Sequence, residues 1–206
     1  MEIADEKTGA VAQMNDYSVW AIPPEAVGEK LKNLMGALRS EFGGPEIPPH
    51  ITVVGATSLT EQDAVEKFRS ACEGLKAYHA MADLVIAGAF PSQCLYLLFH
   101  STPELYTYNE FDNYPTIFQV MDASAHCCRY FGYKRSNRYM PHLSLLYGTL
   151  TKDEKNKARE KASVLDESID SLNFQISRLA LWKTDRKDKL TLESWKQIAE
   201  CSLSPN

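Results

Sequence analysis

The hydrophobic pattern changes period repeatedly along the chain. Residues 16–22 (Asp-Tyr-Ser-Val-Trp-Ala-Ile) are rich in β-formers and read as a first strand, stopped by Pro23-Pro24. Over 25–42, Val27, Leu31, Leu34, Met35, Leu38 and Phe42 recur at helical spacing, and Gly43-Gly44-Pro45 closes that helix. Pro48-Pro49 leads into a short apolar strand, 50–54, and Thr60-Glu61-Gln62-Asp63 opens a helix to about residue 75. Residues 78–90 and 93–100 read as two strands of a hairpin turning near Pro91-Ser92. Ser101-Thr102-Pro103-Glu104 resembles another helix start. Residues 106–120 fit neither period: Tyr106, Tyr108, Phe111, Tyr114 and Phe118 alternate with Asn, Asp and Pro. Helical spacing returns over 123–131, and 132–139 is a polar, basic loop. A second short apolar strand covers 142–147, and Thr151-Lys152-Asp153-Glu154 opens a helix to about 165. A long strand follows over 172–184, then a charged turn at 185–189 and a final strand over 192–203, with a helix over 193–199 as the alternative. Residues 1–15 are polar and unpatterned and read as a loose tail.

Strands and helices mix without a regular β-α-β-α rhythm, which predicts an α+β fold with antiparallel sheet. At 206 residues the chain makes one large domain or two small lobes. A hydrophobic fraction of 44% and a charged fraction of 24% exclude disorder, collagen and coiled coil as its overall class. Its apolar runs are strand-length, far short of the ~18 residues that span a bilayer. The acidic start Met1-Glu2-Ile3-Ala4-Asp5 lacks a secretory apolar region, so a cytoplasmic location without membrane association is expected. The net charge of −5 argues against a stable complex with long nucleic acid, which a basic surface would favour. It leaves room for a small phosphate ligand. Cys72, Cys94, Cys127, Cys128 and Cys201 show no zinc spacing, and His126-Cys127-Cys128 has no matching second ligand pair. Reduced thiols are expected in a reducing compartment.

The informative feature is a near-duplication. Pro49-His50-Ile51-Thr52-Val53-Val54 recurs as Pro141-His142-Leu143-Ser144-Leu145-Leu146, 92 positions later (142 minus 50), and a helix opening with Thr follows each copy. In a strand, positions i and i+2 share a face, so His50 goes with Thr52 and His142 with Ser144. Two such strands lining one cleft supply two imidazoles and two hydroxyls. Imidazoles titrate near neutrality and suit a general acid–base pair; the hydroxyls can donate to phosphate oxygens. That set suits phosphodiester cleavage without a metal. His100-Ser101-Thr102 matches the bare pattern but lacks the preceding Pro and the apolar pair, and reads as a strand end. His79 and His126 read as surface or packing residues.

The two motifs are similar to those of the 2H phosphoesterase superfamily. Together with Tyr17-Ser18-Val19-Trp20-Ala21, Leu38-Arg39-Ser40-Glu41-Phe42, residues 71–78, residues 139–147 and Arg178-Leu179-Ala180-Leu181, the chain resembles the plant cyclic nucleotide phosphodiesterases over about residues 16–205. The resemblance implies a single bilobal domain over 16–206. Two pseudo-symmetric lobes of antiparallel sheet would face a central cleft, with helices outside; residues 106–120 depart from the family's pattern and read as a loop insertion. It implies no metal or organic cofactor, a monomer, and a small cyclic-phosphate nucleotide as partner. The implied substrates are ADP-ribose 1″,2″-cyclic phosphate, a by-product of tRNA splicing, and nucleoside 2′,3′-cyclic phosphates. By position, catalysis falls on His50 and His142, phosphate binding on Thr52 and Ser144, and two aromatic cleft positions on Trp20 and Tyr147. The reading leans to His142 as base and His50 as acid. Strand parity alone turns Tyr147 away from Ser144 unless the strand ends first. Cys72 and Cys201 match positions able to pair, which the sequence leaves open. Lys134, Arg135 and Arg138 either attract the substrate's pyrophosphate or form a solvated loop. The alternatives are a 2H-type enzyme processing RNA ends and a non-catalytic binder of ADP-ribose or cyclic phosphate.

Overall fold

A computed structural model describes residues 13–90, 94–99, 118–135, 139–188 and 191–205; the side chains of residues 118 and 119 are not described. Its elements run β1 (Asn15–Ile22), α1 (Glu25–Phe42), β2 (Ile51–Leu59), α2 (Glu61–Cys72), β3 (Tyr78–Ala87), β4 (Leu95–Phe99), α3 (Phe118–Phe131), β5 (His142–Leu146), α4 (Lys152–Leu165), β6 (Asn173–Ile176), β7 (Arg178–Lys183) and β8 (Lys196–Ser202). A 3-10 turn at Ile169–Ser171 precedes β6.

The described strands form one antiparallel sheet in the order β6-β3-β4-β5-β2-β1-β7-β8. The expected lobes are thus the two halves of one curled sheet, four strands on each side of a β5/β2 seam. The seam is thin: among the described residues only Ile51↔Leu143 pairs across it. Each half holds one motif strand at the seam. Packing crosses between the halves, with α1 against β5 and α4, and α3 against β2 and α2.

Local chemistry explains the helices. In α1, Leu31, Leu34, Met35 and Leu38 form one buried stripe, and Gly43 ends it at φ 77. Thr60 caps α2 by accepting from the Asp63 amide at 3.1 Å. Thr151 and Glu154 close a reciprocal capping box on α4. Gly44, at φ 106, passes so close to the Tyr147 carbonyl that a Cβ there would collide with it. That approach lays the α1–β2 loop against the end of β5.

Alternation divides the sheet into two faces. Tyr17, Val19, Ala21, Ile51, Val53, Leu97, Leu143, Leu145, Leu179 and Leu181 are all buried on the helix side. The positions between them turn to the opposite, concave face.

Several boundaries differ from the sequence reading. The long strand over 172–184 is two strands broken at Ser177, whose carbonyl accepts from the Leu203 amide. One strand pairs with β3 and the other with β1, so the two halves of that run serve opposite lobes. The final segment is a strand from Lys196, not a helix over 193–199; Leu192 adopts φ 60, and a Trp195 N–H to Leu192 carbonyl turn precedes it. Helix α3 begins at Phe118, so residues 118–120 are helix and not part of an insertion. The tail at 1–12, the turn at 91–93, the helix start at 101–104 and residues 106–117 lie outside the described residues, as do His100 and Arg138. Among the described residues no helix is long and apolar enough to cross a membrane.

Candidate active site

Pairing of Ile51 with Leu143 places both residues on the helix side, so His50, Thr52, His142 and Ser144 all fall on the concave face. The register extends that face outward. Trp20 lies opposite Thr52 and Ala180. Leu98 lies opposite His142, and Tyr96 opposite Ser144. The two histidines are near enough that a charge on His142 disfavours one on His50.

Both imidazoles are tethered in the same way. His50 Nδ1 lies 2.8 Å from the Pro48 carbonyl, and His142 Nδ1 lies 2.8 Å from the Met140 carbonyl. A carbonyl can only accept, so each Nδ1 carries the proton and each Nε2 keeps its lone pair. The chain before each motif, Pro48-Pro49 and Met140-Pro141, is held extended by its proline, which aims the carbonyl two residues back at the ring.

Beyond the tether the two rings differ. His50 is 6% exposed and stacks on Trp20, with ring centroids 3.6 Å apart and planes within 10°. Trp20 stacks in turn on Trp182 at 4.3 Å and 17°. Centroids that close to Trp20 place His50 and Trp182 on opposite faces of the indole. Each stack contributes about 1 kcal/mol beyond area burial, and the Nδ1 hydrogen bond about another 1 kcal/mol, enough to hold one ring orientation. His142 is less enclosed and meets Tyr96 edge-on at 5.3 Å and 66°. Burial pushes the His50 pKa down to about 4, with the neighbouring His142 adding to the shift and the Pro48 carbonyl opposing it. Burial also lowers His142, and there the Met140 carbonyl opposes. Both imidazoles are therefore neutral at pH 7, His50 by the wider margin.

Ser144 is buried, and its hydroxyl lies close enough to the Tyr147 phenol to oppose the burial that pushes the phenol's pKa up. Parity alone had turned Tyr147 away; β5 ends at Leu146, and the chain swings Tyr147 back to the hydroxyl. Trp20 needs a correction. It is 1% exposed with both faces covered, so no nucleoside can stack on it; it is the floor under His50. Of the basic loop, Arg135 donates to the Met121 carbonyl at 2.9 Å and lies 5.0 Å over the Tyr139 ring, a packing role, while Lys134 is exposed. His126 bonds the Ala71 carbonyl at 2.9 Å between α3 and α2. Among the described residues no three His, Cys, Asp or Glu side chains converge as metal ligands. Cys72 and Cys201 are free thiols in hydrogen-bonding contact, and burial pushes the Cys72 thiol up.

Sequence reasoning missed Trp182, Tyr96 and Tyr139. The i, i+2 alternation within their strands hinted at Tyr96 and Trp182, but only cross-strand register shows which motif residue each one meets.

Solved structures share this architecture. Escherichia coli LigT complexed with phosphate is 10% identical, with a TM-score of 0.54 covering 93% of this chain and 98% of that one. The same protein complexed with 3′-AMP also aligns at a TM-score of 0.54 and 10% identity, covering 93% and 99%. The fold is thus that of the LigT phosphoesterases. At the sequence level, residues 23–188 match the 2′-5′ RNA ligase superfamily, and the chain belongs to that family of 2H phosphoesterases. It is also 49% identical over 189 residues to the Cyclic phosphodiesterase of Arabidopsis thaliana, covering 92% of this chain and 96% of the relative.

Proposed function

We propose that this cleft hydrolyses ribose cyclic phosphates by two-histidine acid–base catalysis without a metal. ADP-ribose 1″,2″-cyclic phosphate opens to ADP-ribose 1″-phosphate, and nucleoside 2′,3′-cyclic phosphates open to 2′-phosphates. The observation that carries this reading is the duplicated tether. Two imidazoles on one face each have Nδ1 committed to a carbonyl, and each has a hydroxyl two residues on. The similarity to the Arabidopsis relative supports the cyclic-phosphate class.

One imidazole takes a proton from water as its oxygen attacks phosphorus. The other gives a proton to the departing ribose oxygen as the P–O bond breaks, and exchange with solvent restores both. The difference in environment favours His50 as base, since it stays neutral over the wider pH range. His142 is then the acid, the opposite of the order favoured from sequence. A bound phosphodiester anion raises the pKa of both rings and so supplies the acid form of His142. Thr52 and Ser144 donate to the non-bridging oxygens, and the Tyr147 phenol orients Ser144.

The test is hydrolysis of both substrates in excess EDTA, with product identification. Turnover is expected to be unchanged by chelator. Chelator-sensitive turnover would refute the mechanism, and cleavage of RNA ends without turnover of either small substrate would move the function to RNA processing.

A further inference from the structure

Strands β2 and β5 carry the two halves of the site yet pair at a single position, Ile51↔Leu143. The cleft opens immediately beyond it, so the seam alone fixes the spacing of the two motifs weakly. The Thr52 carbonyl, at the opening, accepts from the Tyr139 phenol at 2.7 Å. The next residue, Met140, supplies the carbonyl that holds His142 Nδ1 at 2.8 Å. One short segment thus grips the backbone of one motif and the imidazole of the other. The link is one-sided. On the other half Pro48 holds His50, but the residue before it is Ile47, a buried side chain with no donor.

The Tyr139 ring is itself fixed. Arg135 lies over its face at 5.0 Å, and the Ser124 hydroxyl sits beside the phenol. Ser124 donates to the Val53 carbonyl at 2.7 Å, where β2 bulges between Val19↔Val54 and Trp20↔Thr52. Burial pushes the phenol pKa up, so it stays protonated and able to donate.

Resting on the two-histidine reading, we propose that Tyr139 is a positioning residue: its hydroxyl staples the Thr52 backbone to the segment that orients His142 and so sets the separation of the two halves of the site.

The test compares wild type, Tyr139→Phe and Ile169→Val. Ile169 is a buried residue in the turn before β6, at the far edge of the sheet, and serves as a stability control. Rates with 2′,3′-cyclic AMP are expressed per folded molecule, with the folded fraction measured by circular dichroism at 10 °C. The His142 imidazole is titrated by NMR without substrate and assigned against His142→Asn. Because a misplacement near 1 Å can cost about 10²-fold, kcat of Tyr139→Phe is expected to fall at least tenfold. KM should stay within about threefold, since an orientation effect is felt mainly in the transition state. The His142 titration should move up towards the ordinary histidine value as water reaches the loosened ring. Ile169→Val should change neither. The proposal is overturned if kcat of Tyr139→Phe stays within twofold of wild type, if Ile169→Val loses as much, or if the His142 titration does not move. A wild type that opens no cyclic phosphate would refute the hydrolase reading instead, and the titration would still decide the role of Tyr139.

Discussion

The β2 half and the β5 half of the cleft carry the same motif and the same tether, yet they present different histidines. His50 is sealed against Trp20, itself backed by Trp182, and its pKa is pushed down to about 4. His142 meets the edge of Tyr96, remains more exposed, and is lowered from its ordinary value. Duplicating a motif supplies two equivalent groups. Acid–base catalysis needs two inequivalent ones, and here the difference comes from the walls behind the motif.

The largest expected effect tests whether both halves are needed. His50→Ala and His142→Ala should each lower kcat by about 10²–10⁴-fold, the usual contribution of a general acid or base. Retention of activity in one variant would reduce the reaction to a single histidine. The hydroxyls come next. Thr52→Val and Ser144→Ala should each cost about 10²–10³-fold in kcat, as loss of one donor to a developing charge does. Ser144→Ala should also release the Tyr147 phenol from its contact.

Trp20→Leu sharpens the contrast between the walls. It should destabilise the fold by about 3–5 kcal/mol as a large-to-small core change. In the protein that still folds, the acidic limb of kcat/KM should rise from about pH 4 towards 6.5 as the His50 ring is hydrated. A base must be unprotonated, so activity falls as pH drops through its pKa. An unmoved limb in Trp20→Leu would assign the base to His142. Tyr96→Leu should leave that limb in place.

The depressed His50 pKa also makes a stability prediction. The unfolded chain takes up this proton near pH 6.5 and the folded chain only near 4. Stability is therefore full above about 6.5, falls as pH drops towards 4, and is flat below. A shift of about 2.5 units corresponds to about 3 kcal/mol. Urea titrations of wild type and His50→Asn at pH 7 and pH 4 should show that loss in wild type and its absence in the variant. The smallest effect lies outside the cleft: Thr151→Ala breaks the α4 capping box and should cost about 1 kcal/mol with kcat unchanged.

The sequence alone determined the chemical inventory and most elements. Periodicity located α1 to the residue, Thr60 and Thr151 announced their helices, and the two Pro-His motifs named the proposed catalytic set and its shared face. These are local facts, written in spacing of two, three and four residues. The tertiary structure decided whatever depends on partners distant in the chain. It joined the lobes through Ile51↔Leu143, and it split 172–184 into strands that serve opposite halves, because apolar alternation does not say which neighbour a strand pairs with. It put Trp182 beneath Trp20 across the β1–β7 ladder and returned Tyr147 to Ser144 past the end of β5. It also set Tyr139 on the Thr52 carbonyl, 87 positions away in the chain. Burial and stacking between such distant residues shift a pKa or fix a ring, and no local pattern encodes them.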